Sequence, residues 1–216
     1  MHQRKSKKLL IYFFLLIIVS SISNNSINNF KLNKTQEINI SGLNEEDNLK
    51  LLNEIKNLRL DNVYFINKSE IIKIINANSL IEKYEVFKKY PSTINIKIMK
   101  TTFYAKINNE GKTFLIGSNG KLTLNKSDYS ELPYIFGKPN INEFLKLKKI
   151  IDKSKFSYKQ IKDLYFFPSN RWDLKLKDDI LLKLPNKFTY ETLDYLYEFL
   201  ENYKGKSFNI VDARIN

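Results

Sequence analysis

The feature that most constrains this chain lies near its start. Leu9–Ile22 reads LLIYFFLLIIVSSI, fourteen residues without a charge, behind a tail that carries Arg4, Lys5, Lys7 and Lys8 and no acid. A helix rises ~1.5 Å per residue, so this run covers roughly 21 Å of a hydrocarbon core about 30 Å thick. Continued to Ile27 it has nineteen residues and just spans, with Lys7 and Lys8 snorkelling on the near side. Two readings follow. One is an uncleaved signal anchor over 9–27, with residues 1–8 in the cytoplasm because positive charge stays on that side. The other is a cleavable signal peptide, with Ser21 and Ser23 as the small residues before the cut. Both export everything from Phe30 onward. A buried soluble helix fits less well, because such helices rarely follow an all-basic tail.

Residues 28–36, with Asn28, Asn29 and Asn33, read as a linker. A regular pattern begins at Glu37. Glu37–Ser41 alternates, with Ile38 and Ile40 on one face, and stops at Gly42. Asn44 is placed to cap a helix whose first turn holds Glu45, Glu46 and Asp47, the right sign for the helix dipole. Leu51, Leu52, Ile55 and Leu58 follow at helical spacing. Asn67 and Glu70 resemble a capping box for a second helix striped by Ile71, Ile74 and Ile75. Tyr84–Lys89 and Thr93–Lys100 then read as strands about a Tyr90-Pro91-Ser92 turn. The order is β-α-α-β-β.

The remainder is mostly strand: Phe103–Ile107, Thr113–Ile116, Lys121–Leu124, Leu132–Gly137, Ile161–Phe167, Arg171–Leu176, Ile180–Leu184 and Phe208–Ile215. Helices are predicted over Ile141–Asp152 and Thr189–Tyr203, the latter with Leu193, Leu196, Tyr197 and Leu200 on one stripe. The expected fold class is α+β, with two units built on antiparallel sheets.

Composition narrows the chemistry. The chain has no cysteine, and its one histidine is His2, outside the folded region. Disulfides, thiolate metal sites, cysteine nucleophiles and His-based triads are therefore excluded from the body. The formal net charge is +13, from 36 Lys+Arg against 23 Asp+Glu. No nucleic-acid-binding motif accompanies that excess, so Lys88-Lys89 and Lys146, Lys148 and Lys149 read as solvated faces. Gly117-Ser118-Asn119-Gly120 lacks a following helix or Lys-Ser/Thr and reads as a β-turn rather than a phosphate loop. Asp178-Asp179 reads as a turn between short strands.

These words in this order resemble the bacterial cell-division family FtsQ/DivIB. The stretch Tyr84–Ile107 fits the family's strand–proline-turn–strand pattern at Pro91, Thr93, Ile94, Ile96 and Ala105. Its usual Glu and Pro are replaced here by the Lys100–Phe103 stretch. Phe114–Leu122 is similar to the family's "liD..G", with Gly117 for Asp. Leu132–Gly137 fits "LPxxxG", Arg171–Leu184 its tryptophan-led hairpin, and Val211–Arg214 its "V-D-L-R", with Ala213 for Leu. Family chains run on into one more short strand, whereas this chain ends at Asn216.

The resemblance implies a tail (1–8), a transmembrane helix (9–27), a linker (28–36), a POTRA domain (37–107) and an antiparallel-sheet β domain with flanking helices (108–216). It implies a scaffold of the plasma (inner) membrane at the division septum, with its body in the periplasm. The implied partners are FtsB-like and FtsL-like proteins, and the implied contact is strand addition at the C-terminal edge, by Asp212, Ala213, Arg214, Ile215 and Asn216. No catalysis, cofactor, metal, small-molecule substrate or nucleic acid is implied. By position, Arg214 resembles a family arginine that meets an acidic partner residue, and Arg171 lies close to a second. The competing roles for Arg214 are a solvated strand-end charge or an intramolecular pair with Asp212, two residues back on the same face, and for Arg171 an ordinary surface arginine. Trp172 is read as core. Two rival functions are a POTRA protein of export or outer-membrane assembly, and an exported carboxylate-only hydrolase.

Overall fold

The computed structural model describes residues 3–23, 37–58, 68–90, 92–125, 129–203 and 209–214, with side chains from Lys7 to Ser20 in the first segment. The expected linker, Asn67, Pro91, Ile215 and Asn216 lie outside them.

Helix α1 (Gln3–Ser23) carries the charge-free run. Every side chain from Leu9 to Val19 is exposed. The spanning helix expected over 9–27 is not met: among the described residues no helix is long and apolar enough to cross a membrane. The polar residues Gln3–Lys8 take up the first turns of α1, which leaves only the stretch from Leu9 onward to face hydrocarbon.

Strand β1 (Glu37–Ser41), helices α2 (Glu45–Lys56) and α3 (Lys68–Ala77), and strands β2 (Ile81–Lys89) and β3 (Thr93–Lys100) form the expected β-α-α-β-β unit. Asn44 caps α2 by accepting from the Asp47 amide at 2.8 Å. The sheet order is β1-β3-β2, with β1 parallel to β3 and β2 antiparallel to it. Leu51 and Ile55 of α2 and Ile71 and Ile75 of α3 close over Ile94, Ile96 and Ile98. Gly42 is required at the end of β1: its φ is +117°, and a Cβ there would meet the Ile98 carbonyl oxygen at 1.8 Å.

The second unit is one eight-stranded sheet. Its strands are β4 (Phe103–Asn109), β5 (Lys112–Gly117), β6 (Leu122–Leu124), β7 (Tyr134–Phe136), β8 (Ile161–Phe166), β9 (Trp172–Leu176), β10 (Leu181–Lys183) and β11 (Ile210–Asp212). Their order across the sheet is β11-β10-β9-β8-β7-β4-β5-β6. The boundary expected after residue 107 thus falls inside β4, whose partners β5 and β7 belong to this sheet.

The expectation of antiparallel sheets is corrected. β4 and β7, β7 and β8, and β10 and β11 pair in parallel. Helix α4 (Ile141–Lys153) connects β7 to β8, and helix α5 (Tyr190–Asn202) connects β10 to β11. A helical crossover returns the chain to the same end of the sheet, so each strand joins beside its predecessor in the same direction. Both helices cover one face. Phe144, Leu147 and Ile151 of α4 and Leu193 and Leu196 of α5 pack on Ile135, Leu164, Leu174 and Leu182. Gly137, which ends the LPxxxG word, has φ +101°, and a Cβ there would meet the Phe166 carbonyl oxygen at 2.3 Å.

Hydrogen bonds join the two units. The Ser118 and Thr101 hydroxyls donate to the Glu82 carboxylate at 2.6 and 3.2 Å. Asn119 Nδ2 donates to the Ser79 and Ile81 carbonyls at 3.0 and 2.9 Å. The turn that the sequence shows at 117–120 is therefore a clasp on the first unit.

Candidate partner-binding edge

Among the described residues, strand β11 borders the eight-stranded sheet and pairs only with β10, Leu181 opposite Ile210, Leu182 opposite Val211 and Lys183 opposite Asp212. The flanking bonds run from Leu181 N–H to the Asn209 carbonyl at 3.0 Å and from Ala213 N–H to the Lys183 carbonyl at 2.9 Å. In a parallel ladder, alternate residues bond to one neighbour. Asn209, Val211 and Ala213 therefore face β10, and the N–H and C=O groups of Ile210 and Asp212 face outward. The strand's described limits are Ile210–Asp212, the expected ends Phe208 and Ile215 lie outside the described residues, and among the described residues no strand pairs with its outer side.

Side chains alternate across this border. Val211 and Ala213 pack on the core under α5. Ile210, Asp212 and Arg214 share the other face, where Ile210 is 53% exposed. Arg214 folds back on Asp212: Nε donates to Oδ1 at 2.7 Å, the backbone N–H to the same oxygen at 3.1 Å, and a terminal guanidinium nitrogen meets Oδ2. The Arg214 guanidinium holds the Asp212 carboxyl far below the ordinary carboxylate range, and Asp212 raises Arg214 in turn. The intramolecular pair that competes with a partner role is formed.

The register aligns a row of charge beside this pair. Asp212 lies opposite Lys183, and Lys183 lies opposite Asp173. Asp173 is buried although it lies on the face without helices. Arg171 Nε reaches its carboxylate at 3.2 Å, and the Arg171 guanidinium lies 4.2 Å from the centroid of the Phe167 ring. Both predicted arginines thus stand at one end of the sheet, each holding an aspartate of its own strand. Trp172 is buried in the core, at 5% exposure. Of the other residues predicted for the site, Ala213 points inward with its N–H on β10, and Ile215 and Asn216 lie outside the described residues.

Sequence reasoning missed Asp173, Lys183 and Ile210. Period-two alternation in WDLKL and LLK puts Asp173 and Lys183 on the polar face, but their alignment with Asp212 needs the β9-β10-β11 register. No group of three or more potential metal-ligating side chains occurs among the described residues.

Comparison with known proteins places these features. The family model described as "Cell division protein FtsQ/DivIB, C-terminal" matches residues 99–214, and "POTRA domain, FtsQ-type" matches residues 33–100. The chain is 27% identical over 173 residues to Cell division protein FtsQ of Rickettsia bellii, covering 76% of this chain and 61% of that protein. It is 26% identical over 140 residues to Cell division protein DivIB of Staphylococcus aureus, covering 64% of this chain and 32% of that protein. The chain therefore spans less than two thirds of the length of either relative. The solved extracytoplasmic domain of DivIB from Geobacillus stearothermophilus is similar at a TM-score of 0.33 and 13% identity, over 48% of this chain and 88% of that domain.

Proposed function

This chain belongs to the FtsQ/DivIB family of cell division proteins, and from that premise we propose that it is a membrane-held scaffold that binds its division partners by strand addition at β11. The partners are FtsB-like and FtsL-like proteins, met on the periplasmic side at the septum. The observation that carries the reading is the open outer side of β11, where Ile210 and Asp212 offer unpaired backbone donors and acceptors. Main-chain hydrogen bonds then supply much of the affinity, and side chains on the neighbouring face select the partner.

Arg214 and Arg171 supply the selection. A guanidinium holds a carboxylate bidentately, which lysine does not reproduce. Arg214 meets an acidic partner side chain by exchanging Asp212 for it, which sets a threshold that only a well-placed carboxylate passes. Helix α1 holds the chain at the membrane: exposed apolar side chains from Leu9 to Val19 favour hydrocarbon, and Lys7 and Lys8 sit at its anionic border. The scaffold acts by binding and does no chemistry of its own.

Depletion in the native host tests this reading. Filamentation with loss of septal FtsB-like and FtsL-like proteins supports it, and normal septation overturns it.

A further inference from the structure

A groove of about 480 Å³ lies between the N-terminal parts of α4 and α5 and the ends of β8 and β9. Its floor is Trp172 and Phe166, and its walls include Leu147 and Ile150 of α4 and Phe188 before α5. Two exposed cations, Lys146 and Lys187, stand on the rim. Neither has an ion-pair partner among the described residues. The rim also carries one acid, Glu143, whose carboxylate accepts the Asn140 amide at 3.2 Å in the capping box and is held toward the N-terminus of α4. An apolar floor under free positive charge fits a bulky apolar side chain flanked by carboxylates.

We propose that this groove is a second docking site, on the opposite face of the sheet from the Asp212–Arg214 pair, for an acidic peptide segment that inserts one large apolar side chain over Trp172. Its occupant is a protein segment and not a lipid or a nucleic acid, because the lining sets two cations against one acid, Glu143, and mixes apolar side chains with the hydrogen-bonding groups of Asn170, Asn186, Thr189 and Thr192. The site stands apart from strand addition. Trp172 lies two strands from Ala213, about 10 Å at the ordinary spacing of a sheet.

Trp172 is the chain's single tryptophan, so its fluorescence reports on this groove. The test titrates the full chain with the capped peptide Asp-Glu-Leu-Phe-Glu-Asp. Controls replace its acids with lysine or its Leu-Phe with Ser-Ser. The expected result is a saturable shift in Trp172 emission with the acidic apolar peptide, absent with both controls. The double variant Lys146→Glu/Lys187→Glu weakens binding at least tenfold, and Thr192→Phe, which fills the groove from its α5 wall, abolishes it. Ile210→Pro leaves the titration unchanged. No saturable shift, equal response to the lysine control, or an affinity that the double variant leaves within twofold overturns the proposal. A peptide that binds with Trp172 silent and is weakened by Ile210→Pro overturns the groove and leaves the strand-edge reading intact.

Discussion

Ile210→Pro isolates the outward backbone of β11 from everything that holds the strand in place. The Ile210 N–H points away from β10, so proline there removes no bond of the β10–β11 ladder. The side chain lost is more than half exposed, so the core loses little. Proline also favours the extended backbone that a strand needs in the residue before it. The thermal midpoint should therefore stay within a few degrees of the parent. Against a partner strand the change is severe. One intermolecular hydrogen bond, worth about 0.5–1.5 kcal/mol, is lost, and the partner carbonyl that accepted it faces a ring instead of a donor, for a further ~1 kcal/mol or more. The sum is about 2 kcal/mol, roughly thirtyfold in Kd. Titration calorimetry with the FtsB-like partner reads it directly. Unchanged affinity in a variant with a normal melting curve would refute strand addition at this edge.

Arg214→Glu should abolish co-purification of the same partner while the chain still melts cooperatively, at a temperature lowered only by loss of the Asp212–Arg214 pair, whereas Arg214→Lys should retain only part of the binding, because lysine lacks the planar fork. Asp212→Asn, which frees the Arg214 guanidinium, should tighten binding of the acidic partner several-fold in the same calorimetric assay. In pH-dependent denaturation, Asp212, Asp179 and Glu131 all have folded carboxyls held below their ordinary values by Arg214, Lys162 and Lys177 respectively. Their stabilising contribution is complete above the unfolded carboxylate range near pH 4 and is lost as pH falls below it, so the acid limb should flatten in Asp212→Asn. Asn119→Ala removes two bonds to the Ser79 and Ile81 carbonyls, about 1–3 kcal/mol, and should raise hydrogen exchange in β2 while leaving β8 and β9 protected.

The elements were legible where local pattern decides them. β1, β3 and α4 lie within a residue of the expected limits because an alternating stripe, a cap or a terminal glycine marks each end. The sheet directions were not legible. Nothing in Tyr134–Phe136 or Ile161–Phe166 says that the strands run parallel; the crossover through α4 decides that, and a three-residue strand carries too little pattern to signal it. Arg171 and Arg214 were found through motif position, while Asp173 and Lys183, which stand between them, follow only from register. The charge-free run at the start was plain, yet its usable length depends on where the helix begins and ends, and α1 begins among polar residues that hydropathy alone does not assign to a helix.

The border of the sheet is built to need more than its backbone. Ile210 and Asp212 each present one N–H and one C=O outward, so an added strand gains at most four main-chain bonds over β11. At about 0.5–1.5 kcal/mol each, these supply roughly 2–6 kcal/mol, against the ~8 kcal/mol of a micromolar complex and before the cost of ordering the incoming segment. On the proposed strand addition, three residues would not hold a partner by backbone alone, and the same shortness would keep the edge from capturing any passing strand. The opposite border, β6, is equally short. The missing affinity has to come from side chains beside the edge, and on the outer face these are Ile210 and the charge row from Asp212 through Lys183 to Asp173. Asp212 occupies Arg214 in the free protein, so a segment without a carboxylate there meets a satisfied arginine and gains nothing from it. On the proposed strand addition, short length and an internally paired arginine together would open the edge to one kind of neighbour and close it to most others.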